Sequence, residues 1–396
     1  MKIVILDGYT ENPGDLSWNG FEALGEVTVY DRTPFADGSG EIVRRAKGAD
    51  ILIVNKTPLS AETLAELAPE LRYIGVLATG YNVVDTAAAK AQGVPVCNIP
   101  TYGTAAVAQF VMALLLELCH HVGDHSCSVK EGGWSSCPDF CYWNTPLIEL
   151  AGKTFGVIGY GRIGRAAAKL AAAFGMEVLA FDKFAQDDGV ARMVTLDELL
   201  AQSDVISLHC PLFPDTQGII NRESIAKMKD GVRVLNYARG ELVNDDDMLA
   251  ALASGKVTCY CTDFPNEKTC NAEGIIATPH LGASTPESEE NCASMAAEEL
   301  ISYLETGNIR NSVNLPNAEM QAIGNKVCIL HKNVPNMIAA VTAVAGTAGV
   351  NIENMVNASR KSYAYTMLDI PETVTDAMLD QIRAIDGVIR VRLIAK

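Results

Sequence analysis

Gly156-Val157-Ile158-Gly159-Tyr160-Gly161-Arg162-Ile163-Gly164 sets the terms on which the rest of this 396-residue chain is read. The stretch starts inside an apolar run, 154–158, of strand length, and ends in an alanine-rich segment, 162–174, with helical spacing. The next apolar run, 177–181, is followed at once by Asp182. Strand, glycine turn, helix, strand and terminal acid is an arrangement that holds a dinucleotide. In that reading Gly159 makes the tight turn, Gly161 leaves the backbone open to a pyrophosphate, and Gly164 lets the helix lie close on the sheet. Arg162 and Ile163 open the helix, whose N–H groups and positive dipole end face the phosphates. Asp182 accepts from ribose hydroxyls and repels a 2′-phosphate, so NAD is expected over NADP. Lys183 is a neighbouring cation that softens this repulsion.

Both flanks of the motif continue the alternation. Strands are expected at 2–7, 50–55 and 72–77, with helices at 60–68 and 85–92. Beyond the motif, strands are expected at 205–209, 232–236, 257–262 and 274–277, with helices at 196–202 and 245–254. Such alternation predicts α/β units with parallel sheets. Residues 104–121 read as one long helix, apolar on most faces and therefore buried. Residues 123–146, rich in Gly, Ser, Cys, Pro and aromatics, read as a long functional loop. A long helix is expected over 285–305, and 307–316 crosses to a new unit. The last segment, 326–396, reads strand, helix, strand, strand, helix, strand, with strands at 326–331, 351–358, 363–370 and 388–394. That order is the ferredoxin-like βαββαβ pattern.

Composition excludes several classes. Lys and Arg number 31 against 48 Asp and Glu, a formal charge of −17. Neither nucleic acid nor an anionic membrane is expected as a partner of so acidic a chain. No apolar run has the length of a spanning helix, and the N-terminal run meets Asp7 too early for a secretory signal. The 11 cysteines, odd in number and irregularly spaced, read as reduced thiols of a cytoplasmic protein. Cys119, His120, His121, His125 and Cys127 are close in sequence, but no metal-binding motif is present and no metal is expected.

Three polar residues stand at the ends of late strands: Arg239 in Asn236-Tyr237-Ala238-Arg239-Gly240, Glu267 in Asp263-Phe264-Pro265-Asn266-Glu267, and His280 in Pro279-His280-Leu281-Gly282-Ala283. Strand ends of an open α/β sheet face the ligand crevice. An arginine forks onto a carboxylate, and a carboxylate beside an imidazole stabilises its protonated form.

With these motifs, and with His209-Cys210-Pro211-Leu212, the chain to about Pro316 resembles the D-isomer-specific 2-hydroxyacid dehydrogenases. The resemblance implies an NAD-dependent oxidoreductase passing hydride between NAD(H) and a small 2-hydroxy or 2-oxo acid. It implies that Arg239 holds the substrate carboxylate, His280 is the acid/base, and Glu267 pairs with His280. The segment from Asp263 to His280 is short for the family and lacks its usual Glu-Pro, which leaves Glu273 as the alternative partner. Cys210, Pro211, Ala238, Asp263 and Gly282 are expected beside the cofactor. Lys56, Ala78, Thr79 and Gly80 are expected beside the substrate. The implied architecture is a Rossmann-type NAD domain, 99–283, inserted in a flavodoxin-like substrate domain made of 1–98 and 284–316. An ACT-like domain follows at 326–396, where His331, Asn333 and Asn351 are expected to hold an L-serine effector. A homodimer or homotetramer is expected.

The front of the chain resembles glycerate dehydrogenase, or hydroxypyruvate reductase, through Asp7-Gly8-Tyr9-Thr10, Asn55-Lys56-Thr57 and Pro138-Asp139-Phe140-Cys141-Tyr142-Trp143. The back resembles short bacterial phosphoglycerate dehydrogenases. The segment carrying Lys56 offers one cation where those enzymes typically have two arginines, so the pair D-glycerate/hydroxypyruvate is favoured over the phosphorylated one. A non-enzymatic NAD-sensing protein on the same fold, and a phosphite or formate dehydrogenase, are the other readings.

Overall fold

The β-branched runs near the N-terminus form short parallel ladders in a computed structural model that describes residues 1–11, 14, 16–321 and 323–396. The strands are β1 (Lys2–Ile5), β2 (Glu26–Val29), β3 (Ile51–Val54), β4 (Tyr73–Val76) and β5 (Val96–Asn98), in the order β2-β1-β3-β4-β5. This is the flavodoxin-like order. Every residue of β3 and β4 is buried, as expected for parallel strands covered on both faces. The helix Ala61–Leu67 starts on Ser60, whose side chain accepts from Thr63 N, and Thr86–Ala91 starts on Asp85 in the same way.

The second sheet contains β6 (Thr154–Ile158), β7 (Glu177–Phe181), β8 (Arg192–Met193), β9 (Val205–Leu208), β10 (Val232–Asn236), β11 (Val257–Thr262) and β12 (Ile275–Ala277). Its order is β12-β11-β10-β9-β6-β7-β8, all parallel. The order reverses between β6 and β9, the topological switch point at which such sheets bind ligands. The helix Arg162–Ala173 buries Gly164, Ala167, Ala168 and Ala171, small residues that allow close packing on the sheet and on the helix Thr104–His120. The latter helix is largely apolar, buries Val111, Met112, Leu115 and Leu118, and ends on His121 at φ 47°.

The third sheet is antiparallel: β13 (Asn325–Lys332), β14 (Asn354–Arg360), β15 (Tyr363–Ile370) and β16 (Val388–Ile394), in the order β14-β15-β13-β16. The helices Met337–Thr347 and Asp376–Arg383 supply its second layer, with Val341, Ala345, Leu379 and Ile382 in the shared core. The chain divides into two compact units, Met1–Tyr102 with Pro286–Lys396, and Gly103–Thr285.

The sequence expectation fails at two places. Residues 123–146 are not one loop, because Val122–Lys130 and Gly133–Ser136 are helical. Val122–Lys130 has no buried residue, so it lacks the apolar stripe by which a helix is recognised. The strand expected at 351–358 begins only at Asn354, leaving Asn351 outside the sheet. The short strands β2 and β5 and the helices Gly40–Ala46 and Arg222–Lys227 had no separate expectation. Within the histidine cluster, His125 Nδ1 lies 2.9 Å from the His121 carbonyl oxygen. Among the described residues no single helix is long and apolar enough to cross a membrane.

Candidate active site

The glycine turn after β6 fits a pyrophosphate. Gly159 has φ 95°, and a Cβ there would overlap the backbone of Cys210. A Cβ on Gly164 would overlap the Gly159 carbonyl, whereas one on Gly161 would meet nothing within 4 Å. Two glycines are therefore demanded by packing, and the third leaves open space at the N-terminus of Arg162–Ala173. Arg162 and Ile163 form the first turn there, with exposed and half-buried side chains respectively. Asp182 is half-buried at the end of β7. Its Oδ2 accepts from Tyr160 N at 2.9 Å, and its Oδ1 from Phe184 N and Ala185 N at 2.8 and 3.0 Å. These bonds hold the acid against the glycine turn. Lys183 is ion-paired with Asp215. Cys210 is buried, with its thiol pushed up to about 11 by burial, and Pro211 is exposed. His209 bonds Ser207 Oγ through Nε2 at 2.8 Å, and burial pushes its imidazole down to about 4, so it is held neutral.

At the ends of β10 and β11 the second unit gathers the polar groups. Asn236 is the organiser. Its Nδ2 donates to the Arg239 carbonyl at 2.9 Å and to Tyr260 Oη at 3.2 Å, and its Oδ1 accepts from Ala238 N at 3.2 Å. Arg239 is extended at φ −153°, with Nη1 donating to the Ala238 carbonyl at 2.6 Å. His280 has φ 58°, and its amide closes a tight turn on the Thr278 carbonyl at 2.9 Å. Left-handed backbone is rare for a residue with a Cβ, and such strain is often kept at working sites.

The carboxylate facing His280 is Asp263, not Glu267 or Glu273. His280 Nδ1 lies 3.1 Å from Asp263 Oδ2, and the Asp263 side chain is 3% exposed. Glu267 and Glu273 are exposed, and neither lies within ion-pair reach of the ring. Asn266 Oδ1 accepts from the amides of Lys268 and Thr269, which closes a turn and leaves Glu267 on its outer side. Phe264 was absent from the expected set. Its ring centroid is 4.7 Å from that of His280, and Arg239 Cζ is 5.9 Å from its centre. Phe264 follows Asp263 just past the end of β11, so strand-end position was the available signal for it. Asp263 Oδ1 is buried without a partner, an acceptor suited to the carboxamide N–H of a nicotinamide. Gly282 lies beside this acid, where a Cβ would make an ordinary contact with Asp263 Oδ2 at 3.6 Å.

The first unit presents its own strand ends. Asp7, after β1, accepts from the amides of Asn55 at 2.8 Å, Lys56 at 2.5 Å and Thr57 at 2.6 Å, fixing the turn that carries Lys56. Ala78 is buried, Thr79 exposed and Gly80 half-buried after β4. Thr79 Oγ1 donates to the Ile99 carbonyl at 3.1 Å, and Asn98 Nδ2 donates to the Thr79 carbonyl at 2.6 Å.

In the third sheet His331 is not positioned as expected. It is 1% exposed, with Nδ1 2.7 Å from the Lys332 carbonyl and Nε2 2.8 Å from Thr366 Oγ1. Both ring nitrogens are occupied inside the domain, because β13 is central and covered on both faces. Asn333 Nδ2 donates to the Lys361 carbonyl at 3.2 Å, and Asn351 Nδ2 to Glu353 at 2.8 Å. Asn336 has φ 64° at the start of Met337–Thr347.

Comparison with known proteins identifies the family. The profile of the D-isomer specific 2-hydroxyacid dehydrogenase NAD binding domain matches residues 112–282. A hydroxypyruvate reductase of Blautia hydrogenotrophica is 53% identical over 324 residues, 79% of this chain and all of that protein. A D-3-phosphoglycerate dehydrogenase of Haemophilus influenzae is 33% identical over 410 aligned positions, covering 100% of this chain and 97% of that one. A crystal structure of D-lactate dehydrogenase from Aquifex aeolicus, complexed with NAD and lactic acid, superposes with a TM-score of 0.67 at 26% identity, over 80% of this chain and 100% of that one. The chain belongs to the D-isomer specific 2-hydroxyacid dehydrogenases, and is an NAD-dependent oxidoreductase acting on CH–OH groups.

Proposed function

We propose that this enzyme interconverts hydroxypyruvate and D-glycerate. The observation that carries the reading is the 53% identity, over the full length of that relative, to a hydroxypyruvate reductase. The segment after β3, with Lys56 between Asn55 and Thr57, supports it, since a phosphorylated substrate brings about two more negative charges to be met. When bound, NAD(H) supplies or takes up the hydride at the substrate carbon. Arg239 holds the substrate carboxylate. His280, with Nδ1 directed at Asp263, carries the exchangeable proton on Nε2 and delivers it to the carbonyl oxygen. Asp263 balances the imidazolium charge, and Phe264 packs against the ring. In the first unit, Lys56 and residues 78–80 are the groups assigned to substrate. Gly159, Gly161, Arg162, Ile163 and Gly164 hold the pyrophosphate, and Asp182 the ribose. Cys210, Pro211, Ala238 and Gly282 line the cofactor.

Phosphoglycerate oxidation is the second reading, favoured by the match of the entire chain to the Haemophilus influenzae protein. The test is kcat/KM for hydroxypyruvate against 3-phosphohydroxypyruvate with NADH. A higher value for the phosphorylated acid selects the second reading.

We assign 1–98 and 284–316 to substrate binding, 99–283 to NAD, and 326–396 to an ACT-like regulatory module. The sheet order of the third sheet, with two helices on it, supports the last assignment. L-Serine is the effector this reading favours, with Asn333 and Asn351 as contacts and the buried His331 left out of the contact set. Inhibition by millimolar serine, lost in Asn351→Ala, is the expected result; no inhibition and no thermal shift leaves an assembly module. A cytoplasmic homodimer or homotetramer completes this reading.

A further inference from the structure

We propose that Glu11 is a positioning residue for substrate binding by the first unit, acting through Asn55 on the segments that follow β3 and β4. The proposal rests on the assignment of Lys56 and residues 78–80 to the substrate. Glu11 is 3% exposed, in the turn after β1. Its Oε2 accepts from Asn55 Nδ2 at 3.2 Å, and the same nitrogen donates to the Leu77 carbonyl at 2.5 Å. Asn55 thereby ties the residue before Lys56 to the residue before Ala78. Asp7 fixes the other side of the turn through three amides. Glu11 is thus the outer support of a buried strut that sets the spacing of two proposed substrate segments.

The groups facing Glu11 are Cys292 and Glu289 from the helix Pro286–Thr306, Lys56 after β3, and Asp7 after β1. Burial first, then the charges of Glu289 and Asp7, push its carboxyl up to about 8, against the pull of Cys292 and Lys56. Glu11 therefore keeps its proton at neutral pH and loses it in mildly alkaline solution. Ionisation adds a negative charge beside Asp7 and Lys56, which opposes an anionic substrate held there. Substrate affinity falls.

The experiment measures KM and kcat across neutral to alkaline pH on the full chain with saturating NADH. The substrate is whichever of hydroxypyruvate and 3-phosphohydroxypyruvate turns over faster at neutral pH, so an error in substrate choice is read separately. Wild-type KM should rise above the Glu11 transition by up to about tenfold per pH unit, the limit for one proton. Glu11→Gln should keep the neutral-pH KM and lose the rise, with the pH profile of kcat unchanged. Glu289→Gln should move the onset to lower pH, because one of the charges holding the proton on Glu11 is gone. A Glu11→Gln enzyme that retains the wild-type rise overturns the proposal, as does one whose KM is raised at every pH with the profile intact. If Glu11→Gln does not fold, an onset unmoved in Glu289→Gln overturns it.

Discussion

Replacing Asp263 with Asn removes a charge from beside His280 and changes little else in shape. Opposite charges 3.1 Å apart attract by about 5 kcal/mol at an effective dielectric constant of about 20. The His280 side chain is 46% exposed, so water screens roughly half of that. The remaining ~2–3 kcal/mol supports the positive charge that forms as His280 takes the proton from the substrate hydroxyl. Asp263→Asn should therefore lower kcat for D-glycerate oxidation by roughly 30- to 150-fold. The assay is NADH formation at saturating NAD and substrate, with a thermal melt to show that the variant is folded. Glu267→Gln and Glu273→Gln, at exposed positions without contact to the ring, should stay within about twofold of wild type. If Asp263→Asn remains within about fivefold of wild type while Glu267→Gln falls by about a hundredfold, the pairing is wrong and Glu267 is the partner.

Other outcomes follow from the same geometry. His280→Ala should lower kcat by ~10²–10⁴, and Arg239→Lys should be nearly as harmful as Arg239→Ala, because a point charge does not replace a planar fork; steady-state kinetics reads both. The wild type should prefer NADH to NADPH by well over tenfold in kcat/KM, and Asp182→Ala should narrow that gap. Gly159→Ala should cost about 1–3 kcal/mol in urea unfolding, because the backbone is left-handed there and a Cβ overlaps Cys210. Glu11 and Glu299 have carboxyls raised, chiefly by burial, to about 8 and about 7 from an unfolded value of 4.5. The folded state thus binds more protons than the unfolded state between these values, so their contribution to stability declines as pH rises from about 4.5 to about 8 and then levels off. Urea midpoints across that range, flatter in Glu11→Gln, check the sign.

Much of the fold was legible because its signals are local. The strands at Thr154–Ile158, Glu177–Phe181, Val232–Asn236, Val257–Thr262, Tyr363–Ile370 and Val388–Ile394 fall where apolar runs place them. Val122–Lys130 escaped because a helix with no buried face carries no periodic stripe. In the active site, Arg239 and His280 stood out through their motifs and strand-end positions. Asp263 was expected beside the cofactor, but its pairing with His280 was not read, since adjacency across two loops leaves no trace in spacing.

Residue order alone therefore established a dinucleotide-binding α/β chain with a βαββαβ tail, because glycine turns, apolar periodicity and terminal acids act over a few neighbouring residues. Which carboxylate meets His280, and that His331 is sealed inside its sheet, depended on the folded chain. The first rests on a left-handed backbone at His280 and an Asn266 turn that sends Glu267 outward. The second rests on β13 lying between β15 and β16, a pairing made by segments more than thirty residues away. Side-chain direction and burial are properties of such long-range packing, which no local pattern encodes.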